Sequence, residues 1–440
     1  MTVVRVMARL FKRLYLFSGA HSLRTQHGCC RWVGVLCALA AIQVFAQPAT
    51  VPASTSTAAP TTTASPAQKP ILIGAVISQT GMLADLATPM RDALLMWQEK
   101  VNDSGGLLGR PIELRIYDDG SEATRSTHLY ELLARDDQAD ILIGPFGSAA
   151  TSMAVAVADR TRRVMINTTG TSPAIHKRSP RWTFQLPPTS DRMTAGLVPL
   201  ARAAGIKSFT LAARDEPAAA DLLARLRDAA EPAGLLIRPT TYYTPGNLVD
   251  LAPYAAQLKP EGVEAMLSPA NAREAANLLR GLKAVDISPR LFVATGVTDP
   301  EYIAQVGVDA EYSLGFSTYE PVLRTQGNAA FVRMWRARYK SAPGFSAAAG
   351  WAAGQLIEAA VAQAQSVAPL VLREALLGLE TQTVLGPYKV NADGAQLAAQ
   401  PFMVQILQGR REVVWPETVA SAQAVLPMPT WDKRPRFGRR

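Results

Sequence analysis

Residues 71–77 read ILIGAVI, an unbroken apolar run that is followed by the polar turn SQTG at 78–81. A strand that is apolar on both faces is typical of a parallel sheet covered by helices on each side. Apolar residues then recur at helical spacing up to Val101, and we predict that this helix starts near Thr88-Pro89, because proline favours the first turn. The segment therefore predicts a strand–helix unit whose connecting turn lies at the carboxyl edge of a sheet.

The same alternation continues to a small-residue loop. Strands are predicted at 112–117 and 141–143, and the second leads into the sequence GPFGS. In open α/β sheets, ligands bind outside the carboxyl ends of the strands. We therefore expect ligand contacts from Phe146, Gly147 and Ser148. Ser148 has an alternative role as the cap of the helix that follows it.

Strands and helices continue in two series, with turn-rich breaks at 187–191 and 318–321. This pattern predicts an α/β fold of two doubly wound, Rossmann-like lobes. The last element is predicted to be an antiparallel hairpin of Gly386–Val390 and Phe402–Leu407. A chain of this length is more consistent with two lobes than with one core.

The amino-terminal segment is predicted to be a secretory signal peptide. Six basic residues and no acid occur before an apolar run at 32–45, and the sequence Val44-Phe45-Ala46 suits cleavage after Ala46. The run is shorter than the ~20 residues of a membrane-spanning helix. We therefore expect an exported, periplasmic protein. All three cysteines lie in this segment, so disulfides and thiol chemistry are not expected after cleavage.

The predicted organisation follows from these boundaries and from a spacer rich in Ala, Pro, Thr and Ser, which is unable to bury a core. It consists of a signal peptide at 1–46, a linker at 47–69, a first lobe at 70–188 and 319–382, a second lobe at 189–318 and 383–431, and a basic tail at 432–440.

The positive net charge of the whole chain does not describe its folded body. The formal net charge is +9, but the leader contributes six of these charges, and the body without the tail is close to neutral. Nucleic-acid binding is therefore not expected.

Catalytic side chains are scarce. Only His128 and His176 follow the leader, and we predict that both lie on the surface. No nucleophile-elbow pattern surrounds a serine. Asp118-Asp119 at a strand end is interpreted as a loop cap and not as a metal site. We expect neither an enzyme nor a bound cofactor or metal.

Several stretches together resemble the leucine/isoleucine/valine-binding protein family, the type I periplasmic solute-binding proteins of ABC importers. The resemblance covers about 70–431. It is carried by Gly74–Gly81, Asn102–Pro111, Asp118-Asp119, Ile143–Pro145 with Ser148, Leu385–Tyr388, Asn391–Gly394 and Leu426–Trp431. It implies two lobes joined by three crossovers that close on a small solute, and a monomer that delivers this solute to the permease and ATPase of an importer. The alternative is a sensor of the same fold that signals without transport.

The resemblance also implies site residues. The family's carboxylate-binding positions correspond to Ser148 and Gly170-Thr171. An aromatic position after the first strand corresponds to Leu86, and a Tyr-Gly pair that opens the second lobe's first helix corresponds to Ala218-Ala219.

The acid that receives the ligand's ammonium corresponds to Thr295. Because a bound ammonium needs a negative or acceptor partner, a carboxylate or neutral amide-like solute fits better than an α-amino acid. Asp299 or Glu320 remain possible substitutes for the acid. Phe146 and Tyr319 are expected either to form walls of the site or to belong to the core.

Overall fold

The computed structural model describes residues 69–213, 217–243, 251–258 and 262–434. The predicted signal peptide lies outside the described residues, as do nearly all of the linker and the end of the tail. None of the described helices is long and apolar enough to cross a membrane.

The described helices are α1 (Ala84–Asp103), α2 (Ala123–Arg135), α3 (Ser148–Thr161), α4 (Leu197–Ala203), α5 (Pro217–Ala230), α6 (Ala252–Gln257), α7 (Ala272–Ala284), α8 (Pro300–Val306), α9 (Asn328–Tyr339), α10 (Phe345–Ala364) and α11 (Pro369–Gly378). The described strands are β1 (Ile71–Val76), β2 (Ile112–Tyr117), β3 (Ile141–Ile143), β4 (Met165–Asn167), β5 (Thr183–Gln185), β6 (Ser208–Ala213), β7 (Leu236–Ile237), β8 (Thr241–Tyr242), β9 (Ala265–Ser268), β10 (Leu291–Ala294), β11 (Leu314–Ser317), β12 (Thr381–Thr383), β13 (Gly386–Tyr388), β14 (Phe402–Leu407) and β15 (Arg410–Trp415).

The first sheet has the strand order β2-β1-β3-β4-β5, and all its neighbouring strands are parallel. Every residue of β1 is buried, as expected for a central strand between two helix layers. Because the strands are parallel, the loops after β1, β3 and β4 lie at one edge of the sheet. The predicted doubly wound architecture is confirmed for this half of the chain.

The second sheet has the order β15-β14-β11-β10-β9-β6-β7, with β8 also paired to β6. The strands from β11 to β7 are parallel, whereas β14 is antiparallel to β11 and to β15. Most buried residues of this sheet form a second hydrophobic core, whereas Phe402, Val404 and Val413 of β14 and β15 pack in the core of the first sheet. The α/β fold with two doubly wound lobes is therefore present.

The predicted carboxy-terminal hairpin is wrong. β13 pairs with β12, and β14 pairs with β11 and β15. The turn between them folds on itself instead, because Asn391 Oδ1 accepts hydrogen bonds from the amides of Asp393 and Ala395 at 3.0 and 2.9 Å. Alternating apolar residues identify a strand, but they do not identify its partner.

The first helix starts one turn earlier than predicted, at Ala84, and Pro89 lies inside it. The preceding loop is held in place by the next loop along the sheet edge. The amide of Gln79 donates to Asp118 Oδ1 at 2.8 Å, and the amide of Leu83 donates to Ser121 Oγ at 3.0 Å. These tertiary bonds fix the chain direction before Pro89 is reached, and they outweigh the preference of proline for a first turn.

The chain passes three times between the two sheets: after β5, after β11, and between Val390 and Phe402. Residues 384–390 belong to the first core, where Tyr388 Oη donates to the carbonyl of Leu376 at 3.2 Å. The predicted lobe boundary at residue 383 differs from this packing. The other predicted domain limits remain predictions.

Two of these crossovers are hydrogen-bonded to each other. The amide of Gln185 donates to the carbonyl of Gly394 at 2.8 Å, and Gln396 Nε2 donates to the carbonyl of Leu186 at 3.0 Å. The first and third crossovers are thus held side by side.

Candidate functional site

The loops that follow β3 and β4 lie together at the carboxyl edge of the first sheet. The amide of Gly147 donates to Thr169 Oγ1 at 2.9 Å, and the same hydroxyl donates to the carbonyl of Pro145 at 3.2 Å. Thr168 and Thr169 are buried. This is therefore not an ordinary solvated loop, and the position of one backbone segment depends on the other.

Ser148 lies at the centre of this contact. Its Oγ accepts hydrogen bonds from the amides of Thr171 and Ser172, both at 3.1 Å. The residue before α3 is Gly147, and no side chain caps this helix, so the capping role considered for Ser148 is wrong. A hydroxyl has two acceptor positions and one proton. Both acceptor positions are used, which leaves the proton to be donated.

No acceptor among the described residues takes this proton, and Thr171 Oγ1 also forms no hydrogen bond with them. Both residues are only half-buried. The pair can therefore present two hydroxyl groups to a ligand atom that accepts hydrogen bonds.

Gly170 shapes the second loop. Its amide donates to Asn167 Oδ1, and its carbonyl accepts from Asn167 Nδ2, both at 2.8 Å. A Cβ at Gly170 would lie 2.8 Å from Thr151 Oγ1 and 2.8 Å from Ile175 Cδ1. Asn167 and Thr151 were not predicted from the sequence, although an asparagine at the end of a predicted strand, the first residue of the sequence NTTG, was a signal for Asn167.

Leu86 lies on the first turn of α1 with 57% of its surface exposed. The loop before it is fixed by two acids. Asp119 is buried and accepts from Ser78 Oγ at 2.6 Å and from the amide of Ser121 at 2.9 Å. The acids therefore act as loop caps, as interpreted from the sequence.

Asp118 shows the same effect in its ionisation. Partial burial raises its pKa, but the amides of Gln79, Thr80 and Gly120 and the Thr80 hydroxyl donate to its carboxylate. Together these hydrogen bonds lower the pKa of Asp118 to about 2. In the described part of the chain, no three His, Cys, Asp or Glu side chains are grouped as metal ligands.

Thr295 follows β10 at the carboxyl edge of the second sheet. It is exposed, and its Oγ1 donates to the carbonyl of Ala270 at 2.7 Å. The next residue, Gly296, packs against backbone at the start of α7: a Cβ there would lie 2.2 Å from Ala272 N. This hydroxyl has used its proton and keeps its acceptor positions, which is the opposite of Ser148.

The two substitute acids already have partners. Asp299 is exposed, and its Oδ1 accepts from the amide of Glu301 at 2.9 Å, which makes it the cap of α8. Glu320 is 4% exposed and lies 3.3 Å from Arg411 Nε. Burial raises the pKa of Glu320, and the nearby Arg411 offsets part of this change.

Tyr319 belongs to the core of the first lobe, with 4% of its surface exposed. Its Oη donates to Asn328 Oδ1 at 2.8 Å, and burial raises the pKa of this phenol well above its usual value. Phe146 is half-buried and packs against the same core. Their predicted role as walls of the site stays a prediction.

The two histidines differ. His128 is exposed, as predicted, but the prediction for His176 is wrong because this residue is 9% exposed. Its Nδ1 donates to the carbonyl of Asp393 at 2.9 Å, and its buried Nε2 forms no hydrogen bond with the residues that the structure describes. The contact with the 391–394 turn covers the ring, which basic neighbours in the sequence did not indicate.

The structure thus brings Gly147, Ser148, Gly170 and Thr171 together. Among the described residues, no hydrogen bond joins this group to Thr295 or Leu86. A cavity of about 760 Å³ occurs elsewhere, beside Leu200 and Trp415, and none of the predicted site residues lines it.

The comparisons with known proteins agree with this architecture. The sequence model of a family described as "Periplasmic binding protein" matches residues 70–411. A putative branched-chain amino acid ABC transporter from Rhodospirillum rubrum shares 19% identity with a TM-score of 0.70, over 78% of this chain and 100% of that one.

Two ligand complexes have the same fold. The substrate-binding protein LivJ from Streptococcus pneumoniae, in complex with isoleucine, shares 19% identity with a TM-score of 0.63, over 82% of this chain and 100% of that one. An ABC transporter solute-binding protein from Rhodopseudomonas palustris BisB5, in complex with 3,4-dihydroxybenzoic acid, shares 18% identity with a TM-score of 0.63, over 82% and 99% of the two chains. At these identities the solved structures show the fold, and the match of the sequence model covers most of the chain. The chain belongs to the periplasmic binding protein family.

Proposed function

We propose that this protein is an exported substrate-binding protein that captures a small carboxylate-bearing solute between its two lobes and delivers it to an ABC importer. The observation that carries the proposal is the hydrogen bonding of Ser148. Its oxygen accepts from two amides, so its proton is left to bind an acceptor atom of the ligand.

The neighbouring groups support an acceptor at this position. Thr171 supplies a second hydroxyl, and Gly147 keeps the backbone open, since no atom lies within 4 Å of a Cβ placed there. Hydrogen bonds to a charged acceptor are stronger than those between neutral groups. A carboxylate is therefore the preferred ligand group, and an amide carbonyl is the neutral equivalent.

The second sheet favours a different group at the far end of the ligand. Thr295 offers a neutral oxygen that can accept, whereas Asp299 caps a helix and Glu320 faces Arg411. A hydroxyl or amide N–H suits a neutral acceptor, but an ammonium loses more hydration than one hydroxyl returns. Deaminated or hydroxylated acids are thus better candidates than α-amino acids.

The transport role rests on the family. Delivery requires the permease and ATPase subunits of an importer, and we expect a periplasmic monomer that carries out no catalysis. Deleting the gene and measuring uptake of the bound solute separates transport from sensing: lost uptake supports transport, and unchanged uptake contradicts it.

A thermal-shift screen with matched pairs tests the ligand class. The panel compares leucine with 4-methylpentanoate, phenylalanine with 3-phenylpropanoate, and, for carboxylate against amide, 4-hydroxybenzoate with 4-hydroxybenzamide. A ligand at a hundredfold excess over its Kd stabilises a protein by about 2.7 kcal/mol. We expect the acids to raise Tm and their amino-acid partners to have little effect. A larger shift with the amino acids would contradict the proposed ligand class.

A further inference from the structure

Three arginines line a cavity on the first lobe, away from the ligand loops. The cavity has a volume of about 320 Å³ and is lined by Arg162, Arg181, Trp182, Leu370 and Arg373. We call it the arginine pocket. Arg162 precedes β4 and Trp182 precedes β5, so the pocket lies at the amino end of strands whose carboxyl ends carry the candidate site.

Arg373 is fixed in the wall of the pocket. Its Nε donates to the carbonyl of Arg181 at 2.7 Å, and its guanidinium lies 5.9 Å from the centre of the Trp182 ring. Glu374 forms an ion pair with the same guanidinium. This side chain is therefore held by three neighbours, with its charge beside the cavity.

Asp159 positions part of the wall of the arginine pocket. Asp159 Oδ1 accepts from the amides of Arg181 and Trp182 at 2.9 and 3.0 Å, and so positions the segment that carries the second arginine. Among the described residues, the guanidinium groups of Arg162 and Arg181 form neither an ion pair nor a hydrogen bond. Two cations without protein partners thus face one concave surface, and no acid lines it.

This arrangement is suited to a phosphate group. A guanidinium presents donors in a planar fork that matches the oxygens of a phosphate, and the pairing is stronger than a neutral hydrogen bond. Counting Asp159 and Glu374 against the three arginines leaves the surroundings with one excess positive charge, which matches a singly charged phosphate diester.

The apolar neighbours indicate where such a diester would be found. Leu370 and Val371 lie on the first turn of α11, with 64% and 47% of their surfaces exposed. Exposed aliphatic side chains beside arginines are typical of proteins that contact the boundary of an anionic bilayer. Binding of a phosphate that is free in solution would not require exposed aliphatic side chains.

We propose that the arginine pocket binds the phosphate of an anionic phospholipid headgroup, with Leu370 and Val371 in contact with the interfacial region of the bilayer. This contact places the protein on a membrane surface through the amino edge of the first sheet. The loops with Ser148 and Thr171 lie at the opposite edge and stay accessible to solute. The proposal does not depend on the identity of that solute.

The test measures sedimentation of the purified protein without the predicted signal peptide (residues 47–440) with vesicles of phosphatidylcholine containing phosphatidylglycerol, and with vesicles of phosphatidylcholine alone. The pocket variant is Arg162→Gln/Arg181→Gln. The matched control is Arg333→Gln/Arg336→Gln, which removes two exposed charges from α9. We expect the pocket variant to bind the anionic vesicles about tenfold more weakly than the unmodified protein, with the control within about twofold. Residues outside the described ranges are common to all three proteins.

Equal losses in both variants would overturn the proposal, because they would show a general charge effect. Unchanged vesicle binding by the pocket variant would also overturn it. Titration with glycerol 1-phosphate separates the two sources of a phosphate group: binding that depends on the arginines, without vesicle binding, would replace the lipid with a soluble ester. An unchanged Tm of the pocket variant confirms that its fold is intact.

Discussion

The two sheets carry hydroxyl groups at corresponding edges, and the structure uses them in opposite ways. Ser148 Oγ on the first sheet accepts from two amides and keeps its proton. Thr295 Oγ1 on the second sheet donates its proton to the carbonyl of Ala270 and keeps its acceptor positions. The same chemical group, a side-chain hydroxyl, can therefore present a donor in one lobe and an acceptor in the other, and the backbone that surrounds it determines which.

The largest expected effect is on the free energy of unfolding, when alanine replaces the glycine at each of these edges, Gly296 and Gly170. Gly296→Ala should lower the free energy of unfolding by about 3 kcal/mol, because the new Cβ meets backbone atoms that have little room to move. Gly170→Ala should cost about 1 kcal/mol, since it meets the ends of the Ile175, Thr151 and Asn167 side chains. Denaturant unfolding measures both.

Gly344→Ala is the control, because Gly344 does not have a positive φ and no atom lies within 4 Å of the added Cβ. Gly262→Ala is unsuitable, because Gly262 has a positive φ that alanine rarely adopts. A larger loss for Gly170→Ala than for Gly296→Ala would contradict the expectation that a Cβ that meets backbone costs more than one that meets side chains.

Removing the donor on the first sheet should have the next largest effect. Ser148→Ala should weaken carboxylate binding by ~1–3 kcal/mol, because the ligand loses a hydrogen bond and two amides lose their acceptor. Isothermal titration calorimetry with the best acid from the screen measures the change.

Ser152→Ala is the matched control, since Ser152 is exposed one turn along α3 and its Oγ donates to the carbonyl of Ser148. If both variants bound the acid as tightly as the unmodified protein, the assignment of Ser148 would be wrong.

A smaller effect is expected from adding a charge to the second sheet. Thr295→Glu should shift preference towards an α-amino acid over its deaminated analogue by about 0–1 kcal/mol, because the position is exposed and solvent screens the new carboxylate. Thr295→Gln separates charge from size. Calorimetry with the paired ligands should show a change for the glutamate variant alone, and equal shifts in both variants would contradict an electrostatic cause.

The smallest effect concerns pH and the first lobe. Burial lowers the pKa of His176, and the Asp393 carbonyl and the Gln185 side chain offset part of the change. Because the unfolded chain then binds a proton more readily, stability is present above the unfolded pKa of about 6.5 and falls as the pH drops below it. His176→Gln should reduce the loss of Tm between neutral and mildly acidic buffer.

His128→Gln serves as its control, because His128 is exposed on α2. An unchanged pH dependence in the His176 variant would show that other groups cause the loss.

Strands with continuous apolar runs could be predicted closely. The predicted limits of β2, β3 and β14 agree with the structure, and the mostly apolar residues of β3 and β14 are nearly all buried. The pairing of β14 could not be predicted, since antiparallel partners far apart in the chain are chosen by packing. α4 and β15 were not predicted.

The location of the candidate site could be predicted from the sequence, but the hydrogen-bonding role of each atom could not. The carboxyl edge of a parallel sheet indicated Ser148, the family resemblance implied Thr171, and these residues do meet. Whether the Ser148 hydroxyl donates to a ligand depends on the amides of Thr171 and Ser172. The position of a backbone amide cannot be read from the residue types, because every residue except proline has one. The burial of His176 likewise depends on a turn more than 200 residues away in the chain.

The paired crossovers limit how the lobes can move. Since the first and third are joined by hydrogen bonds from Gln185 and Gln396, they form one pivot, and the second crossover after β11 forms another. Two pivots define a rotation axis, so rotation of one lobe about this axis is the relative motion that meets the least resistance. If the lobes close on a solute as proposed, the same pair of loop edges would meet each time, with no need for the solute to guide their alignment.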